Sequence, residues 1–146
     1  MKAGIFRGYF DEFISREVGD NFCQAVALLE SLGIEAEEVT TAHLDLIPAI
    51  KVCTSRMENA AAHEAPLRTR AQDYSKATLY SYVSALLTPA TTYVMAQRAR
   101  RIVCAEFDEL LGRVPLLILP TIPFAVPSIQ DCETGLIDID GKKIKR

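Results

Sequence analysis

The chain has 146 residues, of which 49% are apolar and 24% are charged, and its net charge is −3. This composition is typical of one globular domain over residues 1–146, without the overall basic field that attracts nucleic acid. No apolar run is long enough to cross a bilayer, and the first ten residues lack the apolar core of a signal peptide. The basic tail from Gly141 to Arg146 is typical of a solvated chain end. We therefore predict neither nucleic-acid nor membrane partners.

The four cysteines indicate a reducing compartment. They stand at Cys23, Cys53, Cys104 and Cys132, with no CxxC pair among them. This spacing is typical of neither a disulfide framework nor a zinc site, so we predict small core residues with free thiols. A cytoplasmic location follows from that interpretation.

The first forty residues predict a strand, a helix and a second strand. The segment KAGIF is short and apolar and ends before Gly8, which favours a strand entering a turn. Apolar spacings of three and four predict a helix between Ser15 as N-cap and Gly33 as C′ residue. Its predicted apolar face consists of Val18, Phe22, Ala25, Leu29 and Leu32. With IEAEEVT as the second strand, residues 1 to about 41 form a predicted βαβ unit.

The middle of the chain, about residues 45–111, is predicted to be helical. Pro48 suits the first turn of one helix and Pro66 marks its expected end. The predicted buried stripe of this helix is Ile50, Cys53, Met57 and Ala60 or Ala61. Residues 67–88 are less periodic and predict a shorter helix.

A long helix is predicted from about Thr91 to Leu111. It follows the break at Thr88-Pro89, and Gly112 is expected to end it. The predicted inner face consists of Met95, Ala99, Ile102, Val103, Phe107 and Leu110.

The segment VPLLILP, from Val114 to Pro120, is continuously apolar. Such a run suits a strand that is buried on both faces of a parallel sheet. We expect either Leu117 and Leu119 or Leu116 and Ile118 to be buried. Because proline donates no ladder hydrogen bond, Pro120 ends the strand, and the strand with its proline-rich exit spans about 114–131.

This exit is the predicted location of the functional site. Open α/β sheets place their sites beyond the carboxyl ends of the strands. The segment PTIPFAVP leaves the predicted strand at that end. Its candidate substrate-binding residues are Thr121, Pro123 and Phe124.

Elsewhere the chain offers few catalytic candidates. A histidine base needs a nucleophile and an orienting group within reach, and we expect structural or surface roles for His43 and His63. Helical tyrosines more often fill a core edge than a pocket, which applies to Tyr74, Tyr80, Tyr82 and Tyr93. A solvated face is the preferred interpretation of the arginines near Glu106, namely Arg98, Arg100 and Arg101. No Gly-rich phosphate loop and no GxSxG elbow occur. We predict no catalytic residue, metal or cofactor in this chain.

Four segments of the chain follow one another in the order known from one enzyme family. They are AGIFRGYFDE with EVGDNFCQAVALLESLGIEAEEVT, then HEAPLRTRAQDYSKATL, then ATTYVMAQRARRIVCAEFDELL with Tyr93, Ala96 and Arg100, and last LLILPTIPFAVPSI. Taken together, they resemble the amidase signature family of serine amidohydrolases over most of the chain. The resemblance implies an α/β fold, with helices packed on a small mixed or parallel sheet, as an incomplete portion of the amidase-signature fold.

The chain departs from the family where the family places its chemistry. The family cleaves amides with a Ser–Ser–Lys triad in a Gly/Ser-rich stretch, but here no two serines and no two glycines are adjacent. The family's later Gly-Leu-Pro segment is absent too. The chain is thus interpreted as an internal section that follows the catalytic region, supplies helices and a pocket wall, and is inactive alone. The Asn-Leu-Ala-Arg-Tyr-Asp-Gly run of the tRNA-dependent amidotransferases is also missing, which favours a small-molecule amide as the substrate.

A second interpretation remains open. The chain could be a free-standing, non-catalytic binding or interaction domain derived from the same fold. Under either interpretation, strands near Ile5 and Leu117 are expected to expose unpaired edges. We therefore predict a homo-oligomer or a missing companion segment.

Overall fold

The structure is a computed structural model that describes residues 1–8 and 13–145. Residues 9–12, which belong to the predicted AGIFRGYFDE segment, and Arg146 of the basic tail lie outside the described residues. The backbone groups into two compact units: residues 1–40 with 109–146, and residues 41–108. Whether these units form the predicted single domain stays a prediction. Within the described ranges, no helix is both long and apolar enough to cross a membrane.

The described residues form short strands and helices, with four helices in succession in the middle of the chain. The helices are α1 (Arg16–Ser31), α2 (Ile47–Ala62), α3 (Glu64–Thr69), α4 (Lys76–Leu86), α5 (Ala90–Arg113) and α6 (Ile129–Thr134). The strands are β1 (Lys2–Phe6), β2 (Glu35–Val39), β3 (Leu117–Ile118), β4 (Leu136–Ile139) and β5 (Lys142–Lys145).

Strand β1 lies in the middle of a three-stranded parallel sheet of order β2-β1-β3. It pairs with β2 from Lys2 opposite Glu35 to Phe6 opposite Val39. The predicted β1-α1-β2 order and parallel pairing are confirmed. Helix α1 begins as expected, because the Ser15 hydroxyl accepts the backbone N–H of Val18. Since β1 is paired on both sides, the prediction of an unpaired edge near Ile5 is wrong.

Strand β3 is shorter and more exposed than predicted. It contains two residues and pairs with β1 through Gly4 opposite Leu117 and Ile5 opposite Ile118. Both of its residues are half-buried, while Leu116 and Leu119 are 37% and 43% exposed. The predicted burial on both faces is therefore wrong, because β3 is an edge strand of this sheet, with β1 alone as its neighbour. The predicted unpaired edge near Leu117 is confirmed for the described strands.

Residues 128–145 form structure that was not predicted from the sequence. Helix α6 begins with a capping box, in which the Ser128 hydroxyl accepts the Asp131 N–H and the Asp131 carboxylate accepts the Ser128 N–H. Strands β4 and β5 then form an antiparallel hairpin around Asp140-Gly141. Both turn residues have positive φ, 51° and 85°, which suits the two-residue turn that an Asp-Gly pair favours. Most of the predicted solvated tail is therefore a strand.

The predicted helices of the middle region are present, with corrected ends. Helix α2 ends at Ala62, and Pro66 lies within the following short helix α3 rather than at a stop. Proline is tolerated there because the N–H groups of a first helical turn have no intrahelical acceptor. Helix α5 ends at Arg113, so Gly112 belongs to the helix and does not close it.

In several helices the buried residues differ from the predicted inner face. In α5 the buried residues are Ala96, Val103 and Leu110, whereas Met95 and Ile102 are 68% and 50% exposed. Helix α1 has no fully buried residue, and Val26 rather than Ala25 belongs to its half-buried stripe. Leu32, its C-cap residue, is 72% exposed. In α2 the buried residues are Ile50, Thr54 and Ala60, with Cys53 and Met57 half-buried.

The cysteines are not core residues. Cys23, Cys104 and Cys132 are exposed, and Cys53 is half-buried. The buried apolar residues of the first unit are Ala3, Phe6, Val39, Leu110, Val114 and Ile139. Those of the second unit are Ile50, Ala60, Leu67, Ala85, Ala96 and Val103. These two sets are smaller than the predicted cores, because much of the apolar surface is exposed.

Gly4 provides the sharpest test of the sheet. A Cβ at this position would lie 2.6 Å from Val39 Cγ2, 3.0 Å from Leu117 Cδ2 and 3.1 Å from Val114 Cγ2. We therefore predict that Gly4→Ala lowers the free energy of unfolding by about 1–3 kcal/mol, as overpacking does. Urea denaturation followed by circular dichroism measures the change.

Gly112→Ala is the matched control. An added Cβ at this helical glycine would have no atom within 4 Å apart from its chain neighbours and the nearby backbone of its own helix. Since alanine favours a helix over glycine, this variant should be neutral or gain up to about 1 kcal/mol. Equal unfolding midpoints for the two variants would contradict the packing around Gly4.

Candidate functional site

A groove of about 240 Å³ lies in the first unit, beyond the carboxyl end of β3. We call it the exit groove. Its lining residues are Ser15, Glu17, Phe124, Ala125, Val126, Pro127, Ser128, Asp131, Ile137, Asp138, Ile139 and Asp140. It combines the proline-rich exit with the start of α1 and the β4-β5 hairpin.

Backbone hydrogen bonds hold these segments together. The Ser15 N–H donates to the Pro123 carbonyl at 2.7 Å, which fixes the exit segment to the N-cap of α1. The next N–H, that of Arg16, donates to the Asp140 carboxylate at 2.6 Å. A carboxylate at a helix N-terminus is favoured by the unpaired N–H groups and by the helix dipole. The amino end of α1 therefore positions both other walls of the groove.

Three carboxylates of the exit groove are occupied by local contacts. Asp131 accepts hydrogen bonds from the Ser128 N–H and hydroxyl, the latter at 2.6 Å. Asp138 accepts the Gly141 N–H at 2.8 Å, and Asp140 accepts the Arg16 N–H. These hydrogen bonds stabilise the conformation of the loops. None of them involves a histidine or a lysine.

The structure separates the three predicted substrate-binding residues. Phe124 is half-buried and lines the exit groove, and Pro123 contributes its carbonyl to the bond with Ser15. Thr121 is exposed and is not part of the groove lining. The contribution of Ser15 and Asp140 was missed, because their contacts join residues more than a hundred positions apart.

His63 belongs to an aromatic cluster in the second unit. Its Nδ1 lies 2.8 Å from the Tyr74 hydroxyl, and its ring stacks on Tyr82 with the ring centroids 5.1 Å apart. Tyr74 and Tyr82 also meet edge to face. The expected structural role of His63 is consistent with these contacts. Tyr80, in contrast, is 78% exposed.

His43 is tied to α5 through Glu106. The Glu106 carboxylate accepts the His43 backbone N–H at 3.2 Å and contacts the His43 ring at Nδ1. The hydrogen bond and charge of Glu106 raise the pKa of His43, and the same hydrogen bond lowers the pKa of Glu106. The pair is an ion pair whenever both groups are charged.

The family-like motif of α5 faces α2. Tyr93 donates its hydroxyl to Glu58 Oε1 at 2.9 Å, and the Gln97 amide donates to the Tyr93 hydroxyl at 2.8 Å. Ala96, on the same side of the helix, is buried. Arg100 lines a groove together with Glu58. Arg98, Arg100 and Arg101 are all exposed, as expected.

None of these arrangements forms a nucleophile with its base. The described serines act mainly in helix geometry: Ser15, Ser75 and Ser128 are N-caps, while Ser31 and Ser84 donate to backbone carbonyls. Among residues 1–8 and 13–145, no three His, Cys, Asp or Glu side chains lie close enough to hold a metal ion.

Curated proteins that resemble this chain are amidases and related enzymes. The chain is 28% identical to an amidase of Pseudomonas putida, with 91% of this chain and 28% of that protein covered. It is 26% identical to AtzE, a subunit of the 1-carboxybiuret hydrolase of Pseudomonas sp. (strain ADP), with 98% of this chain and 30% of AtzE covered. It is 29% identical to the A subunit of the glutamyl-tRNA(Gln) amidotransferase of Neisseria meningitidis serogroup B, with 95% and 35% covered. The chain thus spans about three tenths of the length of these relatives. No family profile matches it.

Solved structures share the fold. One matching chain comes from a structure described as a vestigial protein complex that reveals the evolutionary origins of an s-triazine catabolic enzyme. Its TM-score is 0.78 at 25% identity, and the match covers 98% of this chain and 30% of that chain. A crystal structure of an amidase has a TM-score of 0.84 at 20% identity, with 99% and 32% covered, and shows the fold alone. The predicted α/β fold and the resemblance to the amidase signature family are confirmed.

The His43–Glu106 pair predicts a pH-dependent stability. Because the pKa of His43 is raised, its contribution is complete below its ordinary value near 6.5 and is lost as pH rises through the raised value. Because the pKa of Glu106 is lowered, its contribution is complete above the ordinary value near 4.5 and is lost as pH falls. We predict that His43→Gln lowers Tm most between about pH 4.5 and 6.5, and that the difference shrinks at higher pH.

Thermal scans of both proteins from pH 4 to 9 measure this difference. Glu64→Gln serves as the control, because Glu64 pairs with Arg68 rather than with a histidine. Its Tm difference should not change as the pH rises from about 6 to 9, where the histidine titrates. A Tm difference for His43→Gln that is the same at every pH would contradict the ion pair.

Proposed function

We propose that this chain is one section of an amidase-signature hydrolase that cleaves C–N bonds of amides. The main support is that the sequence relatives are amidases and amidase-like enzymes that match nearly all of this chain but only 28–35% of their own length. In the complete enzyme, an activated serine would attack the amide carbonyl and backbone N–H groups would hold the oxyanion. The Ser–Ser–Lys residues would come from outside the 146 residues of this chain.

The section supplies helices and one wall of the substrate pocket. The exit groove supports this role, because Phe124 lines it beyond the carboxyl end of a parallel strand. Pro123 would hold the wall in place through its bond to Ser15. We propose Thr121, Pro123 and Phe124 as substrate-binding residues of the complete enzyme. The free thiols support the predicted cytoplasmic location.

Alignment lengths support a small-molecule amide as the substrate. The alignment with the Pseudomonas putida amidase spans 133 positions and covers 91% of 146 residues, or about 133, so it leaves essentially no gap in this chain. The alignment with the Neisseria amidotransferase spans 167 positions but covers 95% of 146 residues, about 139, so roughly 28 positions have no counterpart here. The chain is thus built more like the amidase than like the tRNA-dependent enzyme.

We predict that the purified chain alone releases no ammonia from amides. Losing a nucleophile commonly removes several orders of magnitude of rate, and the Ser–Ser–Lys context is missing from the sequence. Ammonia release from a panel of aliphatic and aryl amides should stay at the buffer rate, with an amidase of intact triad as positive control. Turnover that survives repurification and disappears when His63 or Ser128 is replaced by alanine would overturn this prediction.

The genomic DNA upstream of the Met1 codon separates this proposal from the alternative of a free-standing, non-catalytic interaction domain. A continuous reading frame that encodes a Gly/Ser-rich stretch with a Ser–Ser–Lys pattern supports the amidase section. A ribosome-binding site directly before Met1, with no such frame nearby, supports the free-standing domain.

We further propose that the edge at β3 is covered by a second copy of the chain or by a companion segment. Among the described strands, β3 has one neighbour, and the segments on either side of it carry exposed apolar side chains, namely Leu116, Leu119, Ile122, Val126 and Ile129. An unpaired strand edge with apolar neighbours is a template for another strand. The related AtzE is named as a subunit, which supports a companion in this kind of protein.

We predict that the isolated chain is a homo-oligomer whose mass falls after Leu119→Lys. Leu119 directly follows β3, and a lysine beside an edge strand opposes pairing with another strand. Leu32→Lys is the control, because Leu32 is 72% exposed at the C-cap of α1 and belongs to no strand. Light scattering over a dilution series measures the masses. A mass near 16.1 kDa at every concentration would contradict the homo-oligomer and leave the companion segment.

A further inference from the structure

A second groove, of about 420 Å³, lies within the unit of residues 41–108. We call it the α2–α5 groove. Its lining residues are Ile47, Ile50, Lys51, Thr54, Ser55, Glu58, Asn59, Arg100 and Val103. The volume is within the range of about 300–1,000 Å³ that small-molecule sites occupy.

The lining divides into an apolar part and a cationic part. Ile50 and Val103 are buried and Ile47 is half-buried, so they form an apolar floor. Thr54 is buried beside them, and its hydroxyl is satisfied by the Ile50 carbonyl at 2.8 Å. The floor therefore suits an apolar group and presents no unsatisfied Thr54 hydroxyl to it.

Two cations lie at the exposed side of the groove. Among the described residues, neither Lys51 nor Arg100 forms an ion pair. Arginine is suited to carboxylates, since its guanidinium donates two parallel hydrogen bonds in a fixed geometry. The cationic side of the groove therefore suits a single negative group.

Glu58 decides how much negative charge the groove tolerates. Its Oε1 accepts the Tyr93 hydroxyl, whose oxygen in turn accepts the Gln97 amide. This carboxylate is thus held in place, and it contributes one negative charge against the two cations of the groove. One unit of positive charge remains, which favours a monoanion, whereas a phosphate dianion would face repulsion from Glu58.

We propose that the α2–α5 groove binds a small organic monocarboxylate, with its apolar body on Ile50 and Val103 and its carboxylate between Lys51 and Arg100. This site lies in a different unit from the exit groove, and it does not depend on the proposed amidase activity. The ligand is recognised by one carboxylate and an apolar chain.

Titration of the ¹⁵N-labelled 146-residue chain with hexanoate tests this site by NMR. We expect saturable shifts of the amides of residues 49–59 and 100–103, with affinity on the order of millimolar for a probe of this size. Hexanamide, which has the same chain without the charge, should bind at least about 10-fold more weakly. Hexyl phosphate should also bind more weakly than hexanoate, because of Glu58.

Arg100→Gln should weaken hexanoate about 10-fold and remove its advantage over hexanamide. Arg98→Gln is the matched control, because Arg98 is an exposed arginine of the same helix that lines a different surface and should leave binding unchanged. Lys51→Gln provides a second variant on the other helix, and circular dichroism verifies that each variant is folded.

Each other outcome counts against the proposal. Equal affinities for hexanoate and hexanamide would show an apolar groove without carboxylate recognition. Tighter binding of hexyl phosphate would assign a phosphate site instead. Equal losses in Arg98→Gln and Arg100→Gln would show a general charge effect, and the absence of saturable shifts would exclude the site.

Discussion

Close packing around Gly4 is the constraint on which the sheet depends. Val39 of β2, Leu117 of β3 and Val114 all approach the position where any other residue would carry its Cβ. These side chains come from the two stretches of sequence that form the first unit. Glycine at this single position therefore lets β1 take a neighbour on each side. The pairing with β3 then fixes where the proline-rich exit starts, and thus where the exit groove can form.

The amino end of α1 holds the other walls of the exit groove in place. The consecutive N–H groups of Ser15 and Arg16 bind the Pro123 carbonyl and the Asp140 carboxylate. Free N–H groups at the start of a helix need acceptors, so one local requirement organises two distant segments. The groove is thus assembled from contacts that are polar, directional and remote in sequence. This explains why its walls are defined although few large apolar side chains are fully buried.

The positions of helices and strands could be predicted from the sequence better than their buried faces and their contacts with distant residues. The N-cap role of Ser15 and the long helix after Pro89 followed from local chemistry, which the sequence displays directly. The exposure of Met95 and Ile102 did not, because α5 has apolar residues on more than one side and only its neighbours decide which side is covered. The Asp140-Gly141 hairpin had a clear local pattern that was overlooked. The hydrogen bond between Asp140 and the Arg16 N–H has no local signal in the sequence. The complete lining of the groove could therefore not be predicted.

The hydrogen bonds of the sheet are distributed unequally among its strands. The rate at which each strand exchanges its amide hydrogens with solvent depends on this distribution. Strand β1 is paired along both edges, whereas β2 and β3 each have one neighbour in the part of the chain that the structure describes, and β3 contains two residues. Amides exchange when their bonds open locally, and opening costs less where fewer neighbours hold the strand. Protection should therefore decrease from β1 outward, with β3 the first to open. The strand that leads into the exit groove is then also the one best able to adjust when a binding partner or a ligand arrives.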